Sequence, residues 1–84
     1  MSPPRLTLYG RDGCSLCVEA RGQLRQLDDG GCSFVLREVD VDTDEQAARR
    51  YLERIPVLEL EGEIVYELVP DADAVRERLG KLRG

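Results

Sequence analysis

Apolar and polar residues alternate with period two across "RLTLY", residues 5 to 9, where Leu6 and Leu8 face away from Thr7 and Tyr9; this is a strand pattern. "GRDG" interrupts it. From Cys14 onward, Cys17, Ala20, Leu24 and Leu27 recur at steps of three and four, one apolar face of a helix ending near the "DDGG" of residues 28 to 31. "SFVLREVDVD" is rich in β-branched and aromatic residues and predicts a second strand, with Val35, Val39 and Val41 on one side and Phe34 and Leu36 on the other. Apolar residues on both faces suit a central parallel strand.

Thr43 followed by Gln46 has the spacing of a capping box and predicts a second helix. Ala47, Ala48, Tyr51, Leu52 and Ile55 continue it until Pro56 stops it. "PVLEL", a Glu61-Gly62 turn and "EIVYEL" predict a hairpin, and Glu59, Glu61, Glu63 and Glu67 read as its solvated edge. After Pro70, Asp71 or Asp73 can cap a last helix lined by Val75, Leu79 and Leu82, with the tail beyond Leu82 expected to fray. The order is βαβαββα. A crossover joins the first two strands, so they should be parallel, and an α/β fold follows: a four-stranded mixed sheet with helices on both faces.

With 84 residues the chain has room for one domain, 1–84, with a core near the lower limit of self-sufficiency. Residues 1 to 29 balance Arg5, Arg11, Arg21 and Arg25 against Asp12, Glu19, Asp28 and Asp29, so the net charge of -5 lies wholly in the remainder. An acidic chain without a basic stripe or interleaved stacking aromatics is not built to follow phosphates, which argues against nucleic acid. No apolar run is long enough for a membrane span, and "MSPPRLTLYG" lacks the apolar stretch of a secretory signal. The reading is a cytoplasmic monomer.

Three cysteines are too few for the disulfide framework of a small secreted domain. Cys14 and Cys17 form a C-x-x-C pair at a helix start, where unpaired N–H groups and the positive end of the dipole favour a thiolate. Cys14 is therefore the candidate nucleophile. Cys17, one turn further in, is placed to resolve a mixed disulfide, and Arg11 would add positive charge beside the pair. The alternatives are two inert buried sulfurs, a metal site, or an iron-sulfur cluster shared between two chains. Without histidine, a zinc site in one chain would need Cys32, some 20 Å away along the helix. No bound metal is expected. Cys32 reads as a bystander, with glutathionylation or intermolecular pairing as its regulatory alternative.

The strand-then-"CSLC"-helix opening, "RIPVL" and the closing hairpin and helix resemble the glutaredoxin-like branch of the thioredoxin-fold superfamily. That resemblance implies a thioredoxin-like three-layer fold and dithiol-disulfide exchange on a protein or small disulfide. It further implies a cis Pro56 beside the cysteines, with Ile55 and Pro56 as the platform for an extended substrate. Ser15 and Leu16 occupy the positions where typical glutaredoxins have Pro-Tyr, and with Arg11 they border the substrate. The family carries two glycines and an acid after the hairpin for glutathione; "VYELVPD" has Tyr66 and Glu67 there, with Asp71 within reach of an ammonium. The exchange needs no tightly bound cofactor. Glutathione is the candidate co-substrate, with a reductase as the other electron donor. A cluster carrier and a non-catalytic domain presenting the Ile55-Pro56 edge to a partner are the readings from other classes.

Overall fold

The structure is a computed structural model describing residues 3–83. Its elements are β1 (Arg5–Gly10), α1 (Ser15–Asp29), β2 (Val35–Asp40), α2 (Glu45–Tyr51), β3 (Val57–Leu60), β4 (Glu63–Glu67) and α3 (Ala72–Arg83). The sheet order is β2-β1-β3-β4, with β1 and β2 parallel and the other pairs antiparallel. This is the mixed α/β architecture the pattern predicts. The frayed tail expected beyond Leu82 is helical through Arg83, and Gly84 lies outside the described residues. Among the described residues no helix is long and apolar enough to cross a membrane.

Period two in the strands and period three to four in the helices meet in one core. Leu6 and Leu8 of β1 and Leu58 and Leu60 of β3 bury against Ala20, Leu24 and Leu27 of α1 and against Val75 and Leu79 of α3. Burial of each such leucine favours folding by about 1.5–3 kcal/mol. The intervening residues Tyr9 and Glu59 face the other side of the sheet, where Tyr51 of α2 meets them. Three layers result.

Several local expectations give way to tertiary context. β2 lies at the sheet edge, and Val35 is 52% exposed, because the crossover places β2 outside β1 while the hairpin takes the other side. Asp44 caps α2: its Oδ1 accepts from the Ala47 N–H at 3.1 Å. Thr43 lies one residue before the cap position, and its hydroxyl donates to the Asp40 carbonyl at 2.9 Å in the preceding turn. The helix ends at Tyr51, short of Ile55. Asp71, rather than Asp73, caps α3 through the Ala74 N–H at 3.0 Å, while Asp73 pairs with Arg76. Leu82 is exposed and does not extend the apolar stripe.

At the hairpin tip Glu61 and Gly62 both have positive φ, 50° and 86°, as a two-residue turn of the primed type requires. The solvated-edge reading holds for Glu61, Glu63 and Glu67 and fails for Glu59, which is buried. β3 is a central strand, so one of its faces lies under α1 and α3 and the other under Tyr51. Cys32 follows α1, half-buried against the core.

Candidate active site

The strand directions gather four loops at one end of the sheet. β1 and β2 end there, β3 begins there because Val57 pairs with Tyr9, and β4 ends there because Glu67 pairs with Val57. The loops are residues 11–14, 41–44, 52–56 and 68–71. Arg11, Cys14, Ser15, Leu16, Cys17, Ile55 and Pro56 therefore all stand at this end.

Cys14 is the N-cap of α1, with an extended backbone and a sulfur that accepts the Cys17 N–H at 3.1 Å. A cap oxygen normally takes this bond; here sulfur does. Cys14 and Cys17 form a disulfide with their Cα atoms 5.2 Å apart. The two sulfurs are unequal in access. Cys14 is half-buried, whereas Cys17 is 3% exposed on the inner face of the helix.

Gly10 makes room for that inner sulfur. A Cβ at this position would lie 3.0 Å from Cys17 Sγ and 3.2 Å from its Cβ, so a side chain here obliges Cys17 to give by a few tenths of an ångström in a packed core. Gly10→Ala is expected to cost about 1–3 kcal/mol, seen as a lower denaturant midpoint. Gly22→Ala, with no atom near its Cβ, should instead stabilise by roughly 0.5–1 kcal/mol. Equal midpoints for the two variants would contradict the contact.

Arg11 is held by Asp42 at 3.2 Å, so its charge is partly offset. It also borders a cleft of about 200 Å³ between α1 and β2, lined by Gly10, Asp12, Cys17, Arg21 and Asp40 among others. The Ile55–Pro56 peptide bond is cis. Pro56 is buried, Ile55 is half-buried, and the Pro56 carbonyl accepts from the Leu68 N–H at 3.0 Å. Ser15 and Leu16 are exposed beside the sulfurs.

Two features had no signal in the residue pattern. Leu68 has φ 70°, a conformation expected of glycine or asparagine. The second is a polar cluster under the sheet end: Glu59 accepts from the Tyr9 hydroxyl at 3.2 Å and from the Tyr51 hydroxyl at 2.5 Å, and the two rings lie with centroids 4.8 Å apart.

The hydrogen bond to Glu59, with burial and the carboxylate charge, pushes the Tyr51 phenol up to about 12. Burial, aided by the Asp71 charge, pushes Tyr66 up to about 12 as well. Unfolded tyrosine titrates near 10. Between those values the unfolded chain has lost protons that the folded chain retains, so stability falls as pH rises from about 10 towards 12 and is unaffected by these groups below that window. Thermal melts across that range should show the decline, shallower in Tyr51→Phe; a flat profile would contradict it.

Residues 5–80 match the family described as Glutaredoxin-like domain (DUF836). The chain belongs to this glutaredoxin-like family. Among solved structures it is similar to protein Ne2328 from Nitrosomonas europaea, with 32% identity, 93% of each chain covered and a TM-score of 0.78. A target protein from X. campestris is 34% identical over 90% of this chain and 96% of its own, with a TM-score of 0.71. A mutant thioredoxin from Halobacterium salinarum aligns with 95% of this chain and 74% of its own at 25% identity and a TM-score of 0.70. The glutaredoxin-like chain thus has a thioredoxin-like fold whose cysteine pair stands at disulfide distance, an arrangement with redox potential.

Proposed function

We propose that this glutaredoxin-like protein is a dithiol-disulfide oxidoreductase in which Cys14 attacks and Cys17 resolves. The observation that carries this reading is the Cys17 N–H aimed at Cys14 Sγ from the first turn of α1. The donor that meets the sulfur in the disulfide also stabilises a thiolate there, as does the positive end of the helix dipole.

The Cys14 thiolate attacks one sulfur of a substrate disulfide, forming a mixed disulfide and expelling the other sulfur as a thiolate. Cys17, deprotonated, then attacks Cys14 Sγ, closing the Cys14–Cys17 bond and releasing the second substrate thiolate. Two electrons pass from the dithiol to the substrate, whose thiolates take up two protons. A thiol reductant, glutathione or the dithiol of a reductase, returns the pair to its reduced state. No organic cofactor takes part.

Ile55 and Pro56 form the edge along which an extended substrate lies, with Ser15, Leu16 and Arg11 bordering it. Such a cycle belongs in a reducing compartment, the cytoplasm, with the protein acting as a monomer on protein or small-molecule disulfides. The deciding experiment is a coupled reductase assay of disulfide turnover, comparing the wild type with Cys14→Ser and Cys17→Ser. Turnover that survives in the Cys14 variant would sink the assignment.

A further inference from the structure

Two residues other than glycine have positive φ among the described residues, Glu61 and Leu68. Glu61 sits in the hairpin turn, and its carboxylate accepts the Arg5 N–H at 2.9 Å, so both its backbone and its side chain serve the fold. Leu68 is different. Its N–H is shared between the Arg54 carbonyl at 2.9 Å and the Pro56 carbonyl at 3.0 Å, and these bonds hold the strained backbone. Neither of them requires leucine, because every residue except proline carries that N–H.

Nor does the Leu68 side chain repay the strain inside the core: it is 49% exposed, next to Val69 at 67%. Glycine or asparagine would meet the same backbone at lower cost. A bulky apolar residue kept in a left-handed conformation, and left half open to water, points to a task outside folding.

Its position names the task. Leu68 follows β4 directly, and β3 alone separates β4 from β1, so two strand spacings, about 10 Å, divide Leu68 from the end of β1 that leads to Cys14. An extended polypeptide advances roughly 3.3 Å per residue, so those two strand spacings correspond to about three residues of an extended substrate. The loops of this end carry two arginines against five carboxylates: Arg11 and Arg54 against Asp12, Asp42, Asp44, Glu53 and Asp71. Both arginines are already engaged, Arg11 with Asp42 at 3.2 Å and Arg54 with Glu67 at 3.7 Å. Glutathione, a short anionic thiol without an apolar side chain, meets repulsion here and has nothing to lay on Leu68.

We propose that Leu68 is a specificity-determining residue for the exchange at Cys14, selecting polypeptide disulfides with an apolar side chain about three residues from the reacting cysteine over the disulfide of glutathione. The proposal rests on Cys14 being the reacting sulfur. The test uses the full chain and Leu68→Asn, whose side chain tolerates the left-handed backbone. The substrates are glutathione disulfide and two synthetic peptide disulfides that differ only in leucine or serine at the third residue from the cysteine.

Wild type is expected to favour the leucine peptide over the serine peptide by about tenfold in kcat/KM, the scale of one partly buried aliphatic side chain. It should favour it over glutathione disulfide by at least as much. Leu68→Asn should reduce the leucine-to-serine ratio to less than about twofold, while its Tm holds or rises by a few degrees as strain is relieved. A merely structural loosening of the loop lowers all three rates and leaves that ratio intact. A retained tenfold ratio in the variant, or none in the wild type, overturns the selection while leaving the exchange standing. A wild type that turns over none of the three disulfides overturns both.

Discussion

Cys14→Ser is expected to abolish disulfide turnover, and Cys17→Ser to stop it after one covalent step with the substrate attached. The asymmetry follows from access and position. Cys14 caps α1 with its sulfur half-buried, whereas Cys17 lies under the helix with 3% of its surface exposed, against Gly10. A substrate disulfide can reach the first sulfur and is excluded from the second. Serine at position 14 keeps the cap, since its hydroxyl accepts the same N–H, so the variant should fold and melt near the wild-type temperature while its rate falls to background.

In Cys17→Ser the outer thiolate still attacks, but no inner thiolate follows, and a mixed disulfide accumulates. Intact-mass measurement after incubation with a peptide disulfide should show the protein plus one peptide, removable by a reductant. A substrate adduct on the Cys14→Ser protein, formed through Cys17, would reverse the two roles. Cys32, half-buried against the core, should be carried unmodified in both variants, and a Cys32→Ser background removes any ambiguity in the mass.

The parts of this site that were legible in the residues are those set by local chemistry. A C-x-x-C at the start of an apolar-periodic helix fixes which sulfur caps and which is buried, because helix geometry alone separates them by one turn. Glycine at position 62 marks its turn for a similar reason. What the pattern misplaced depends on contacts distant in sequence. Thr43 has the composition of a cap, yet the turn closed by its bond to the Asp40 carbonyl starts the helix one residue later, and the role falls to Asp44. Val35 and Val39 look like a central strand, and only the position of β3 on the far side of β1 turns β2 into an edge. Leu68 breaks the local rule outright, since leucine is no marker of positive φ. Alternation likewise assigns Glu59 to a face without saying what covers that face.

The cover is Tyr9 and Tyr51, and removing the carboxylate between them should be among the costliest single changes in the molecule. Glu59→Ala leaves the Tyr51 hydroxyl buried without its acceptor and the Tyr9 hydroxyl partly so. Each lost charge-assisted bond, with the desolvated donor left behind, costs on the order of 1–3 kcal/mol, so about 3 kcal/mol is expected for the variant. For a domain of this size that lowers Tm by at least about 12 °C.

Much of that loss is the penalty of orphaned donors rather than the net worth of the cluster. Combining Glu59→Leu with Tyr9→Phe and Tyr51→Phe should therefore recover most of the stability, as replacement of buried polar groups by apolar ones of similar volume often does. A triple variant less stable than Glu59→Ala would show that the cluster stabilises in its own right. Function separates the two variants further. Tyr51 is the last residue of α2 and lies four residues before Ile55, so the bond to Glu59 ties the loop bearing Ile55 and Pro56 to the central strand. Glu59→Ala, assayed well below its melting temperature, should show a raised KM for peptide disulfides, with Cys14 still trappable at its normal rate by a small alkylating agent; an unchanged KM would detach the cluster from the substrate edge.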